Sequence, residues 1–315
     1  MYKIAIVGAG GIGMYHSDAI TQIEELTLVA VCDIAEERAK RMAEPHGARY
    51  FTDYKEMCDE VEFDAVILNL PHYLHCEVSI YFMERGVHVL CEKPMAMNAA
   101  ECDMMIAASE KHGVKLAVGH VQKYYSAYKQ VKKFIEDETL GKLCMINEVR
   151  NTDYTNKARA RWFLTKELSG GGIVMNYCAH SLDKIMFTTG KKVTRVHAML
   201  SNPMSDDNVE VNGHILLRLD DGVSASITLC GCRVPPDYDI AFYFTNGVAK
   251  IANGKDLTVI TQGVTTEYGG TEELFTEQLR EFVKLLNGEP SDIVMGEYGR
   301  EIMRVIDQIY TEEVL

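Results

Sequence analysis

The stretch "KIAIVGAGGIG", Lys3 to Gly13, constrains this chain more than any other. A short apolar run leads without a spacer into Gly8-Ala9-Gly10-Gly11-Ile12-Gly13, and a helical pattern follows. G-x-G-x-x-G is weak in isolation, but at a strand-to-helix turn it predicts a dinucleotide-binding fold. Gly8 permits the tight turn, Gly10 lets backbone amides approach a pyrophosphate, and Gly13 permits close helix packing. Gly11 and Ile12 complete the predicted cofactor contacts, beside the partial positive charge of the helix N-terminus. The second strand ends "VAVCD", which places Asp33 where a carboxylate accepts from adenosine ribose hydroxyls. A carboxylate there repels a 2′-phosphate, and the residue that follows is Ile34, not a base. NAD is therefore the expected cofactor, with Arg38 and Arg41 close enough to leave NADP open.

The same rhythm continues through the first third of the chain. "KIAIVG", "LTLVAVCD", "DAVILNL", "VHVLCE" and "KLAVGHV" are apolar at nearly every position, as strands buried on both faces should be. Helical patterns lie between them, two of them closed by a glycine suited to a C-cap. Strand and helix in alternation predict right-handed crossovers and a doubly wound parallel sheet. After about residue 120 the segments lengthen and alternate. "HILLRLDDGVSASITL" predicts a hairpin turning at Asp221-Gly222, and Asn246-Gly247 and Asn253-Gly254 are further turn signals. The expected fold class is an α/β Rossmann domain over 1–120, followed by an α+β domain over 121–315 with a large, mostly antiparallel sheet. A chain of 315 residues with 47% hydrophobic content has material for two such cores.

Charge and cysteine usage exclude several classes of partner. With 32 Lys+Arg against 46 Asp+Glu, the net charge of −14 disfavours binding to nucleic acid or to an anionic membrane surface. Nine cysteines are scattered through apolar stretches without CxxC or metal-finger spacing, so reduced, packed thiols in a cytoplasmic protein are expected. No apolar run approaches the length of a membrane span.

Two further segments bear on chemistry. In "CEKPMAMNAAE", Pro94 biases Lys93 away from helical dihedrals, and Asn98 with Glu101 has capping-box spacing. Lys93 then stands at the C-terminal end of a parallel strand, where open α/β sheets bind ligands, with Glu92 beside it to hold or tune the ammonium. In "GGGIVMNYCAHSLD", three glycines precede an apparent helix in which Asn176 and His180 are one turn apart. Asp183, three positions further on, can orient the imidazole; a packed interior histidine is the competing reading. No third ligand at suitable spacing accompanies His180, so a metal is not expected.

In combination and order, the GxGGIG turn, Glu-Lys-Pro and the GGG segment leading to a polar-x-x-x-His helix resemble the Gfo/Idh/MocA oxidoreductases along essentially the whole chain. The resemblance implies a Rossmann domain followed by an open-faced sheet that often forms the oligomer interface, hence a homodimer or homotetramer. It also implies NAD(P)-linked oxidation or reduction of a small sugar, cyclitol or polyol-like molecule. Carried over residue by residue, Lys93 matches the lysine that contacts a substrate hydroxyl and the nicotinamide ribose, and His180 the histidine that serves as acid/base or substrate ligand. Asn69, Pro71 and His75, in "LNLPHYLH", fall in the nucleotide-lining loop, while Gln122, Lys123, Arg161 and Trp162 lie in segments resembling the substrate pocket. The departure is Asn176, where many members have Asp: an amide donates and accepts hydrogen bonds but takes no proton at neutral pH. Two alternatives to a dehydrogenase stay open, a redox-neutral elimination or epimerisation with recycled NAD, and a non-catalytic dinucleotide sensor.

Overall fold

The computed structural model describes residues 1–204, 208–270 and 273–312. Its contacts divide the chain into two compact units, Met1–Val121 with Glu273–Glu301, and Gln122–Glu272 with Ile302–Leu315. The return of Glu273–Glu301 to the first unit differs from the division at residue 120, and burial accounts for it. Helix α9 (Leu274–Asn287) in that segment is amphipathic, and Leu279, Phe282 and Val283 join the apolar cluster of Ile4, Ile6 and Leu28. A periodic helix shows in sequence that it needs a surface to cover, but not which surface.

The first unit holds a six-stranded sheet built from β1 (Tyr2–Val7), β2 (Leu26–Cys32), β3 (Arg49–Phe51), β4 (Ala65–Leu68), β5 (His88–Cys91) and β6 (Leu116–Val118). The strand order is β3-β2-β1-β4-β5-β6, and every pairing is parallel. Order reverses between β1 and β4, and such switch points open a crevice at the carboxyl ends of the strands. Helices α1 (Gly11–Ile20), α2 (Glu36–Ala43), α3 (Tyr54–Glu60), α4 (His75–Met83) and α5 (Ala99–His112) form the crossovers, with α9 (Leu274–Asn287) packed beside α1. The edge strand β3, only three residues long, is too short to carry a periodic signal. Burial pushes the thiols of Cys32 and Cys76 up, to about 12 and about 11, so they pack as protonated apolar groups.

The second unit holds eight strands, β7 (Leu143–Asn151), β8 (Val193–Ser201), β9 (Asn212–Leu219), β10 (Ser224–Cys230), β11 (Asp237–Phe244), β12 (Gly247–Ala252), β13 (Asp256–Thr261) and β14 (Val264–Tyr268). Their order is β14-β13-β12-β11-β7-β10-β9-β8, antiparallel throughout except for the β7–β10 pair. The predicted hairpin is β9–β10, with Leu217 opposite Ala225 and Gly222 at φ +90 in the turn. Alternation sets the layers: Ile215, Leu217, Ala225, Ile227, Ile240 and Phe242 are buried, while Met199, Leu216 and Ile260 on the other face are exposed. Helices α6 (Ser126–Glu136), α7 (Lys166–Ser169) and α8 (Ala179–Thr189) belong to this unit, and α10 (Gly296–Glu312) begins in the first unit and ends in the second. Among the described residues, no helix is long and apolar enough to cross a membrane.

Candidate active site

The glycine turn has the geometry that its sequence requires. Gly8 adopts φ +98, and a Cβ there would lie 2.3 Å from the Asn69 carbonyl oxygen. A Cβ on Gly13 would lie 2.3 Å from the Gly8 carbonyl oxygen, so α1 can approach the strand only without one. At Gly10 and Gly11 an added Cβ would meet nothing within 4 Å. Gly10 is the N-cap of α1 and supplies no capping side chain, which leaves the first-turn amides to an outside acceptor. Asn69 reaches the same turn from the end of β4: its Nδ2 donates to Gly8 O at 3.4 Å, and its buried Oδ1 has no hydrogen-bond partner. An open amide cradle beside an orphaned amide oxygen fits a dinucleotide pyrophosphate and its riboses.

Asp33 closes the other side of the turn. Its Oδ2 accepts from Ala9 N at 2.9 Å, and its Oδ1 accepts from Ala35 N at 2.8 Å and pairs with Arg38 Nη2 at 3.1 Å. A carboxylate has about four lone-pair sites, so one is left for a ribose hydroxyl. Arg38, half exposed, is held by the same carboxylate that repels a 2′-phosphate. Replacing Asp33 by Ser removes the repulsion and frees Arg38. The Asp33→Ser protein is expected to shift the ratio of NADPH to NADH affinity by about 10- to 100-fold toward NADPH, the scale of one charged hydrogen bond. Fluorescence titration with each reduced dinucleotide measures the ratio.

Lys93 follows β5 on a turn that is anchored from behind. The Glu92 carboxylate accepts from buried His16 Nε2 at 3.1 Å and from the Lys93 amide at 3.2 Å. Gly119 makes room for it, since a Cβ there would lie 2.6 Å from Glu92 Oε1. Glu92 thus supports the lysine turn, and His16 is a residue that motif reading missed. His75 is fully buried, with Nδ1 2.9 Å from Pro94 O and Nε2 2.8 Å from Leu70 O. A neutral imidazole donates from one nitrogen only, so His75 donates to one of these carbonyls and is lodged between the loop after β4 and the Lys93–Pro94 turn. Burial pushes its pKa below the usual value, and the two carbonyls pull it back. Pro71 is half-buried at the start of the same loop. The predicted cap on α5 forms: Asn98 Oδ1 accepts from Glu101 N at 2.9 Å, and Glu101 reaches back to Met97 N at 3.0 Å.

In the second unit the glycine triplet proves to be shaped by close packing. Gly170 takes the left-handed cap of α7 at φ +80. A Cβ on Gly171 would lie 1.9 Å from Tyr310 Oη, and one on Gly172 1.9 Å from the Glu210 carbonyl oxygen. The Glu210 carboxylate accepts from Gly172 N and Val174 N, each at 2.9 Å, and from Tyr310 Oη at 2.9 Å. Burial pushes its pKa up while these donors hold it down. The segment expected as one regular helix instead opens with a π turn, Val174–Cys178, before α8. Single π turns inside helices recur at functional sites, and this one carries Asn176.

Asn176 and His180 are nearly buried at 6% and 8% exposure, and Asp183 is wholly buried one turn beyond His180. Tyr154, in the loop after β7, is wholly buried with no hydrogen-bond partner for its hydroxyl among the described residues, and burial pushes the phenol pKa well up. Gln122 is half-buried at the start of a 3₁₀ turn, Gln122–Tyr124. Trp162 stacks on Phe163 with ring centres 3.7 Å apart, and Arg161 is exposed. Lys123 stands 5.0 Å from the Phe187 ring. A buried ion pair that the sequence did not announce lies under α8: Lys184 Nζ is 3.0 Å from Glu148 Oε1, which also accepts from Ser181 Oγ at 2.8 Å. Burial pushes the Lys184 pKa down, and Glu148 opposes it. Among the described residues, no three His, Cys, Asp or Glu side chains gather as metal ligands.

Comparison with known proteins bears on both units. Residues 2–120 match the Gfo/Idh/MocA model described as an oxidoreductase family with an NAD-binding Rossmann fold, and residues 128–250 match the Gfo/Idh/MocA C-terminal domain. The chain is 26% identical over 316 residues to the myo-inositol 2-dehydrogenase of Thermotoga maritima, covering 95% of this chain and 92% of that protein. It is 29% identical over 275 residues to the 2,7-anhydro-N-acetylneuraminate hydratase of Mediterraneibacter gnavus, covering 86% and 71%. Among solved structures, the aldose-aldose oxidoreductase of Caulobacter crescentus, complexed with glycerol, superposes with a TM-score of 0.89 at 25% identity, covering 99% of this chain and 97% of that one. With an NAD-binding model on the first unit and the matching C-terminal model on the second, the chain belongs to the Gfo/Idh/MocA family of oxidoreductases.

Proposed function

We propose that the protein is an NAD-dependent dehydrogenase or reductase acting on a secondary alcohol of a sugar, cyclitol or polyol-like substrate. The observation that carries this reading is the pairing, on one parallel sheet, of the open amide cradle at Gly10–Gly11 with a lysine whose turn is braced by Glu92 and His16. The inositol dehydrogenase and aldose oxidoreductase relatives support the same class of substrate. In this reading Gly8, Gly10, Gly11, Ile12 and Gly13 hold the pyrophosphate, Asp33 the adenosine ribose, and Asn69 and Pro71 line the nucleotide. When bound, NAD supplies a hydride acceptor at nicotinamide C4. The hydroxyl proton passes to Lys93 or to His180, and the Asn176 amide orients a neighbouring hydroxyl by donating and accepting. Gln122 and Trp162 contribute to the substrate wall. The exposed face of the eight-stranded sheet, with Met199 and Leu216, suits a homodimer or homotetramer.

The hydratase relative favours a second reading, in which NAD is reduced and reoxidised within one turnover. One experiment separates the two. Purified protein with NAD is offered polyols, cyclitols, sugars and sugar acids in D2O, and both reduced-nicotinamide absorbance and deuterium at substrate carbons are followed. Stoichiometric NADH is the expected result. Deuterium uptake without NADH would replace it with the redox-neutral chemistry, and bound NAD with neither signal across the panel would favour a sensor.

A further inference from the structure

Two arginines in the second unit meet one ring beside Asn176. Arg150, near the end of β7, has its guanidinium carbon 3.8 Å from the centre of the Tyr177 ring. Arg159, in the loop after β7, donates from Nη2 to the Tyr177 hydroxyl at 3.1 Å and lies 4.1 Å from the centre of the Tyr154 ring. Tyr177 directly follows Asn176, and the Tyr154 ring meets it edge-on with centroids 5.8 Å apart. Both arginines are only half-buried, so a solute can reach them.

Among the described residues, neither Arg150 nor Arg159 has a carboxylate within 4 Å, and Arg150 Nη1 and Arg159 Nε are buried without a hydrogen-bond partner. Two other enclosed cations are matched at close range, Lys184 by Glu148 and Arg300 by Asp103. Contact with an aromatic ring stabilises a guanidinium but uses none of its N–H donors, which stay available to an acceptor. A planar fork of donors matches a carboxylate or a phosphate, and a buried N–H without an acceptor is destabilising until one arrives.

We propose that Arg150 and Arg159 form an oxyanion subsite, and that the substrate oriented by Asn176 carries a carboxylate or phosphate group. This rests on the reading of Asn176 as substrate-facing given above. The anion would lie against the arginine edges and leave the ring hydroxyls to Asn176.

Three probes that share a ring test it: D-glucose, D-glucuronate and D-glucose 6-phosphate, titrated calorimetrically into protein saturated with NAD. At least one anionic probe is expected to bind 10- to 100-fold more tightly than D-glucose, on the scale of one or two charged hydrogen bonds. Which of the two binds more tightly separates carboxylate from phosphate. Arg159→Gln and Arg150→Gln, each checked for an unchanged melting temperature, should each remove most of the preference; two variants guard against one failing to fold. Equal binding of all three probes, no binding of either anion, or a preference that survives in both variants would overturn the subsite. NADH formed from D-glucose without any anion preference would leave the dehydrogenase reading intact and remove this one. An arginine-dependent preference without NADH from any probe, and without NADH across the wider panel, would do the reverse.

Discussion

Gly172→Ala is expected to destabilise the protein by about 3–5 kcal/mol, combining overpacking with the loss of buried hydrogen bonds. The added methyl would stand 1.9 Å from the carbonyl oxygen of Glu210, a backbone atom that cannot rotate aside. Moving that backbone moves its carboxylate, which is the shared acceptor for Gly172 N, Val174 N and Tyr310 Oη. Clash and lost acceptor therefore arrive together. Gly269→Ala is the control: its methyl meets nothing within 4 Å, and it should stay within about 0.5 kcal/mol of the wild type, as open surface changes do. Urea denaturation of both variants gives the comparison. A Gly172→Ala protein as stable as the control would mean that the Glu210 segment shifts freely, and the packing account of the triplet would be wrong.

The same triplet marks the boundary of what sequence can convey. Gly8 and Gly13 were legible because strand, turn and helix are contiguous and the motif's spacing marks both positions, even though the atom that crowds Gly8 is the distant Asn69 carbonyl. Gly171 and Gly172 have equally severe constraints, but the atoms that impose them belong to Tyr310 and Glu210, far along the chain. From sequence alone the triplet reads as a lead-in to a functional helix, and the π turn that carries Asn176 is invisible because nearly all of Val174–Cys178 is buried, which leaves no polar face to reveal a shift of phase. His75 shows a different limit: a histidine in a nucleotide loop suggests a ligand contact, and the sequence does not announce the Leu70 and Pro94 carbonyls that face its two nitrogens. The antiparallel sheet was legible from alternation and turn residues. The buried Lys184–Glu148 pair was not, since a lysine within a helix gives no hint of a carboxylate 36 residues earlier in the chain.

On the proposed chemistry, Lys93→Ala lowers kcat by about 10²- to 10⁴-fold, the usual contribution of a positioned acid or base. The substitution leaves the glycine cradle and the Asp33 carboxylate in place, so affinity for NADH, read by fluorescence, should change little. Lys93→Arg discriminates between two roles for the cation. An arginine keeps the positive charge but holds its proton at every working pH, with a pKa above about 12. Were the charge alone needed to polarise a hydroxyl, Arg would retain much of the rate; if the proton must be taken and returned, Arg is as poor as Ala. A wild-type rate in Lys93→Ala would pass the proton to His180, and His180→Ala would then have to show the loss.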